Sequence, residues 1–431
     1  MKTEFCAKRT LEFLKRELKE NLLSFWMPRC LDEECGGYLN CFSNDGSRLV
    51  SKDKYLWSQG RFLWMFSKLA LLKGDTFSRE ERELFLRYAK SGRDFMLRHA
   101  LVAKDDYRCV FLTEQDGSPK GLEGYEGYDL SISADCFVVM GFSLYSRAAK
   151  DEESWLFAKR LGDSVWDRYR SDCYRSLPYP VPEGYQSHAK PMILTHLCCE
   201  MYRAALTFDP SYAEILRERI ALCHREVFEI FRDEADLIHE FKYSDNTFAP
   251  NLFGQHINPG HTLEDLWFQW DAAEILGTAE AELDRIGRVA KATVELGWDP
   301  KFGGFLHFVP CDGLDTAYTP GDTAEEAQMK LVLDDWGSKL WWVHSEAMYT
   351  LLLMYAKTKD SYFKEWFERS FDYAFSVFPN PDRSVGEWIQ IRTREGKPQE
   401  KVVALPVKDP YHIIRNVALM IELLESWEEA K

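Results

Sequence analysis

The sequence predicts an all-α protein, a single domain of about twelve helices closed into a toroid. Three observations lead there. Apolar residues recur at helical spacing in a dozen segments of about 16 to 24 residues. Strands and helices do not alternate as a parallel sheet requires, and no Gly-rich phosphate loop of either common kind occurs. No linker rich in Pro, Gly or Ser and no low-complexity tract divides residues 1–431. A helix that is apolar on several faces must bury them all, and six inner helices ringed by six outer ones solve that problem. An α-solenoid of helix pairs is the alternative, and periodicity does not separate the two.

The periodic segments are 3–24, 54–73, 78–101, 131–149, 151–171, 189–207, 211–231, 262–277, 279–297, 337–357, 360–378 and 411–428. Ser78, Asp209-Pro210 and Asp360 supply capping chemistry at three of the starts. Short alternating runs interrupt the series and predict β-hairpins in the loops. These are Tyr107–Thr113 before the Asp116-Gly117-Ser118-Pro119 turn, Gly304–Val309, and Glu387–Thr393 turning at Glu395-Gly396.

Composition narrows the function. Apolar residues are 45% and charged residues 29%, ordinary for a protein with a sizeable core, while aromatics reach 14% with 14 Trp. Aromatic rings fill cores and also stack on sugars. The net charge of −16 opposes nucleic acid and anionic membranes. No apolar stretch reaches the ~18 residues of a membrane span, and residues 1–18 lack a signal-peptide core. The eleven Cys are odd in number, mostly isolated and without a CxxC pair, which fits reduced thiols in a cytoplasm and no zinc site.

Four segments set polar groups among aromatics. Trp57, Arg61 and Trp64 share one helical stripe, so Arg61 is either a surface cation stacked on indoles or a charge inside a cavity. Asn258-Pro-Gly-His261-Thr-Leu-Glu264 puts His261 at a helix start, where the helix dipole disfavours the imidazolium. Glu264, one turn on, is placed to orient that ring or to bind substrate; a solvated cap histidine is the alternative. Lys339, Trp342, Glu346 and Tyr349 share another stripe, either a lateral salt bridge or a site. His344 points about 140° away from Lys339 and reads as structural. Lys408-Asp-Pro-Tyr-His412-Ile-Ile-Arg415 again opens a helix with a histidine.

These segments resemble the N-acylglucosamine 2-epimerase family. The matching motifs are Lys54…Trp57-Ser-Gln-Gly-Arg61, Asn258-Pro-Gly-His261-Thr-Leu-Glu264, Lys339-Leu-Trp-Trp-Val-His-Ser-Glu346 and Gly386-Glu387-Trp388. Gly36-Gly37-Tyr38, Ser133–Phe137 and Gly297-Trp298-Asp-Pro…Gly303-Gly304 follow the same order. The resemblance implies an (α/α)6 barrel with a sugar pocket at one end. It implies that His261 and His412 move the C2 proton of a reducing sugar, with Arg61, Glu264 and Glu346 beside them. Trp57, His196, Trp342, Lys339, Trp388 and Arg415 are the expected sugar contacts.

The expected activity is 2-epimerisation of N-acetylglucosamine and N-acetylmannosamine or a related sugar. The chemistry needs no metal, nicotinamide or other cofactor, and with no P-loop no ATP effector is expected. A homodimer is the expected assembly. Aldose–ketose isomerisation or epimerisation of an unacylated sugar is the alternative, and a glycoside hydrolase with Glu264 and Glu346 paired is the third. Asp409 and Ile414 replace the family's usual Gly and Pro, and His196 stands where N-acyl enzymes tend to be apolar. Asp312–Asp335 is longer than usual and is expected to form a lid.

Overall fold

The computed structural model describes residues 5–429, so the expected helix start at residue 3 lies outside them. Twelve long helices are present among the described residues. They are α1 (Ala7–Arg16, continuing through a π-helical stretch to Trp26), α2 (Leu56–Leu71), α3 (Arg79–His99), α4 (Ile132–Ala149), α5 (Glu152–Arg170) and α6 (Ala189–Phe208). The second half holds α7 (Pro210–Arg225, with a π-helical extension to Phe231), α8 (Pro259–Leu276), α9 (Ala279–Gly297), α10 (Trp341–Thr358), α11 (Ser361–Val377) and α12 (Tyr411–Glu429).

The even-numbered helices pack in a closed ring, each on the next and α12 back on α2, while each odd-numbered helix backs an even one. This is the toroid, and it excludes the open solenoid. Burial follows the layers. In α4 every residue from Ala134 to Ser146 is buried, and in α10 every residue from Val343 to Met354. Outer α3 buries only the stripe Phe85, Ala89, Gly92, Phe95 and Met96.

Helix ends match the capping residues. Ser78 and Glu81 form a reciprocal capping box on α3. Asp209, Asn258 and Asp360 cap α7, α8 and α11 with their side chains. Three starts differ from the periodic pattern. α8 begins three residues earlier than expected, at Pro259, because Asn258 caps it ahead of the apolar run. Lys54–Tyr55 and Lys339–Leu340, read as helix, are strands leading into α2 and α10.

The connections are unequal. Inner helices pass to outer ones through tight turns, with left-handed Lys150, Gly277 and Lys359 ending α4, α8 and α10. Outer helices return through long loops that all gather at the N-terminal ends of the inner ring. The loops carry β1 (Lys54–Tyr55), β2 (Leu101–Ala103), β3 (Asp106–Cys109), β4 (Leu112–Thr113), β5 (Tyr185–Ser187), β6 (Phe241–Tyr243), β7 (His256–Ile257), β8 (Val309–Pro310), β9 (Lys339–Leu340) and β10 (Ile391–Arg392).

Among the named strands of the described residues, β2 and β3 form a hairpin, and isolated bridges such as Thr113–Pro119 close further turns. The other four sheets pair strands of different loops: β1 with β4, β5 with β6, β7 with β8 and β9 with β10. The expected strands at Gly304–Val309 and Glu387–Thr393 each serve twice: Phe305 bridges Trp298 and Arg392 bridges Pro398 around the expected Glu395-Gly396 turn, while Val309 and Ile391 pair with neighbouring loops. Alternation marks a strand but not its partner. The remaining two neighbour pairs are tied as well. Leu177 and Ile132 donate backbone bonds across the second and third loops, and Asn44 bonds Ile391 and Gln399 across the sixth and first. The result is a belt around one rim of the barrel.

Backbone proximity sets the ring's tightness. A Cβ at Gly141 of α4 would lie 2.5 Å from the Gly60 carbonyl oxygen of α2, and one at Gly60 would lie 2.4 Å from the Phe137 carbonyl carbon. Gly141→Ala is expected to cost about 1–3 kcal/mol through overpacking, measured by chemical denaturation against the wild type. An unchanged midpoint would show that the two helices can separate freely.

Candidate active site

A cavity with about 250 Å³ of water-accessible space opens at the belted rim. Each of the six inner helices contributes its first turns: Trp57 and Arg61 from α2, Phe137 from α4, Ile193 and His196 from α6, His261 and Glu264 from α8, Trp342 from α10 and His412 from α12. Loop residues Leu177, Val181, Leu331, Val403 and Leu405 add an apolar wall. Gathering of all the inner N-termini at one end makes the site a property of the fold.

His261 is the third residue of α8, and its backbone N–H donates to Asn258 Oδ1 at 3.1 Å. Its Nδ1 lies 2.9 Å from Glu240 Oε2. Sequence placement at a helix start predicts a histidine kept neutral; the structure corrects this. Burial works to lower its pKa, but the Glu240 carboxylate outweighs it and holds His261 above the usual histidine range. Glu240 itself is buried, and despite the burial its carboxyl is held well below the usual range by His261 and His188.

Behind it, His188 Nδ1 lies 3.5 Å from Glu240 Oε1, and His188 Nε2 lies 2.8 Å from Asp265 Oδ2. His188 is pushed up to about 9: burial opposes its charge, and the two carboxylates override burial. Asp265 also accepts from Gln269 Nε2 at 2.6 Å. A buried file of Asp265, His188, Glu240 and His261 thus runs from the barrel interior to the cavity.

His412, the second residue of α12, has a different environment. Its Nδ1 lies 2.7 Å from Glu346 Oε1 and 3.6 Å from Glu264 Oε1. Burial pushes its pKa down to about 3; Glu264 opposes the shift, and Arg61 and Arg415 add to it. Arg415 shields the two carboxylates. Its Nη2 donates to Glu346 Oε1 at 2.6 Å and to Glu264. Trp267 Nε1 donates to the other Glu346 oxygen at 2.9 Å. His261 and His412 thus face one cavity with opposite proton affinities, and both rings flank Trp342, at 5.3 and 5.6 Å between centroids.

Arg61 lies over Phe137 at 4.1 Å, Tyr411 at 5.1 Å and Trp57 at 5.2 Å, and its guanidinium bonds the Asp409 carboxylate. The expected second indole, Trp64, packs instead against Tyr411 and His196, because Phe137 of α4 takes its place. Asp409 also caps α12, accepting from Tyr411 N at 2.8 Å. His196 stacks on Phe268 at 4.3 Å, and neither ring nitrogen has a protein partner.

Three expected sugar contacts are displaced from the cavity. Lys339 is fully buried, donating to Asp299 at 3.1 Å and to the Gly304 carbonyl, because it stands in β9 and not on α10. That also removes it as a partner for Glu346. Trp388 is fully buried against Phe378 and Phe375. Arg415 is fully buried and touches the cavity only through the carboxylates that it holds. Glu264 does not reach the His261 ring; it faces Arg415 and His412.

Glu264, Glu346 and His412 place ligand atoms within 4.8 Å of one another, the grouping that a cation would need. One Arg415 nitrogen already bonds both carboxylates, so a positive charge occupies the place that a cation would take and the donor set does not fit a metal. The sequence reading missed Glu240, His188, Asp265 and His307. Their one signal was the charge within Leu-Ile-His-Glu240-Phe, where an apolar run would be ordinary.

The family described as N-acylglucosamine 2-epimerase (GlcNAc 2-epimerase) matches this chain over residues 37–416. N-acylglucosamine 2-epimerase of Bos taurus is 29% identical over 413 residues, covering 95% of this chain and 90% of that protein. Among solved structures, cellobiose 2-epimerase from Spirochaeta thermophila DSM 6192 superposes with a TM-score of 0.76 at 19% identity, covering 98% of each chain. A D-mannose isomerase superposes at 0.73 and 17% identity, covering 96% of this chain and 98% of that one. These two likenesses are of fold. No helix among the described residues is long and apolar enough to cross a membrane.

Glu240→Gln is expected to lower the pKa of His261, since removing the adjacent negative charge withdraws support from the imidazolium. Titration of the His261 ring signals by NMR reads this directly. An unmoved His261 titration would mean that Glu240 does not set its charge.

Proposed function

The chain belongs to the N-acylglucosamine 2-epimerase family and is a carbohydrate isomerase of the 2-epimerase kind, and we propose that it inverts C2 by proton transfer between His412 and His261. The observation that carries the assignment of roles is the opposed environment of the two rings about Trp342. His412, pushed down to about 3, is neutral at neutral pH and accepts the C2 proton of the open-chain aldose. His261, raised by Glu240, carries the proton that is returned to the opposite face. In the reverse direction the roles exchange.

Abstraction of the C2 proton, made acidic by the C1 carbonyl, leaves an enediolate. Arg61, a cation that lines the cavity with Lys190, stabilises its oxyanion. Glu346 and Glu264, held by Arg415, keep the His412 ring in place with Nδ1 occupied and Nε2 toward the cavity. Return of the proton to C1 instead would give the ketose, so one set of residues supports both outcomes.

The proposed substrates are N-acylglucosamine and N-acylmannosamine, whose acyl methyl suits the wall of Leu177, Val181, Val403 and Leu405. His196 favours a second reading. Its ring lines the cavity and both nitrogens are buried without a protein partner, so a shift of the ring would offer them to a sugar hydroxyl, which suits an unacylated aldose.

The test is incubation of N-acetylglucosamine, N-acetylmannosamine, glucose, mannose and cellobiose with the protein in heavy water. NMR reads deuterium at C2 and the identity of the product. His261→Ala and His412→Ala are each expected to lose ~10²–10⁴-fold in turnover with the fold intact. Arg61→Lys is expected to lower kcat and kcat/KM together, since the ammonium lacks the planar fork. A His412→Ala variant with near wild-type turnover would remove the two-histidine mechanism.

A further inference from the structure

Besides His261, His412 and His196, a fourth imidazole lines the same cavity, and the proton transfer at C2 does not use it. His307 lies in the loop between α9 and α10, pinned by its N–H to the Trp336 carbonyl at 3.0 Å. It is nine-tenths buried, and its Nδ1 lies 3.0 Å from Asp335 Oδ2. Asp335 closes the short helix Ala327–Asp335, and its other oxygen accepts from Lys401 Nζ at 2.8 Å and from Ser338. The carboxylate fixes the tautomer: Nδ1 carries the proton, and the Nε2 lone pair is left for the cavity that the side chain lines. The ring lies 6.1 Å from Trp342, so three histidines surround one indole.

The C2 chemistry poses a requirement that His261 and His412 do not meet. Reducing sugars are supplied as closed rings, and the C2 proton becomes acidic only when C1 is a carbonyl. Ring opening needs a base for the O1 proton and an acid for O5. Both oxygens are bonded to C1, so a single imidazole can serve both.

We infer that His307, oriented by Asp335, opens the sugar ring. Nε2 takes the O1 proton and the O1 electron pair forms the C1 carbonyl. The C1–O5 bond breaks with its pair on O5, and the His307 imidazolium returns the same proton to O5. The balance closes within the sugar and one histidine, and no oxidant, reductant or further reactant takes part. The neutral form required at the start is the one that the environment favours. Burial lowers the pKa, with His261 adding to the shift, while Asp335 and Glu240 oppose it.

This rests on a reducing sugar as substrate and assigns the protein a second measurable activity, exchange between anomers. The segment 312–335 gains a role through it, since that segment ends on Asp335 and supplies Gln328 and Leu331 to the cavity wall. It was expected to be a lid; here it acts as a wall and as the anchor of His307.

The experiment dissolves anomerically pure N-acetylglucosamine, glucose or mannose in buffered heavy water and follows the anomeric protons and the C2 deuterium by NMR. Wild-type protein is expected to speed anomer exchange above the buffer rate. His307→Gln is expected to lose that acceleration by ~10²-fold or more. Asp335→Asn, a second variant should His307→Gln not fold, is expected to lose less. It should also move the acid limb of the exchange profile to lower pH, because a charge that supports the imidazolium is gone. A merely structural role would leave that limb in place.

Wild-type exchange at the buffer rate, or variants that exchange as fast as wild type, would overturn the inference. C2 deuteration without accelerated anomer exchange would overturn ring opening and leave the epimerase reading standing. Histidine-dependent anomer exchange without C2 deuteration would do the reverse.

Discussion

Arg415 is a full positive charge with no route to water, and the catalytic rim is arranged around its neutralisation. Burying an ion costs several kcal/mol unless opposite charge and hydrogen bonds meet it. Here Glu264 of α8 and Glu346 of α10 converge on one nitrogen of an α12 side chain, and Trp267 and Tyr411 cover its faces. Three inner helices are thereby held at a common level. The Glu346 oxygen that Arg415 holds, Oε1, is also the one that grips His412, while Trp267 takes the other. The position of one proposed catalytic histidine is thus a by-product of satisfying a buried guanidinium. Loss of Glu346 would take away the hydrogen bonds that fix both Arg415 and His412.

The two proposed catalytic histidines show how far local placement determines chemistry. Both stand in the first turn of an inner helix, where the dipole disfavours charge. For His412 the neutral state results from burial. For His261 one carboxylate from a loop reverses the sign. A helix terminus supplies a partial charge, whereas Glu240 supplies a full one at 2.9 Å, so the carboxylate dominates.

The helices were legible because each long segment carries a 3.6-residue apolar period that survives any tertiary context. The cluster His261, Glu264, Glu346, His412 and Arg61 was legible because polar residues in apolar stripes need a reason. The misplaced residues have separate causes. Lys339 stands in a ladder strand, where a helical wheel assigns the wrong face, and Trp388 was placed only by its motif, which does not tell a buried packing residue from a pocket one. Glu240, His188 and His307 were missed because loops have no period. Their meaning appears only when β5 pairs with β6, or when the helix at 327–335 brings Asp335 to His307.

The two rims of the barrel are unlike. On one, inner helices turn outward within a few residues, with Lys150, Gly277 and Lys359 in the left-handed conformation. On the other, long loops are laced edge to edge by two-residue ladders. Chain length can therefore vary on one rim alone, and the entropy of closing a longer loop rises only logarithmically. Since each loop bears its own share of the pocket wall, lengthening one changes a sector of that wall and leaves the proton-transfer groups on their helices. The segment 312–335 is one such sector: it brings Gln328 and Leu331 to the wall while His261 and His412 stay on their helices.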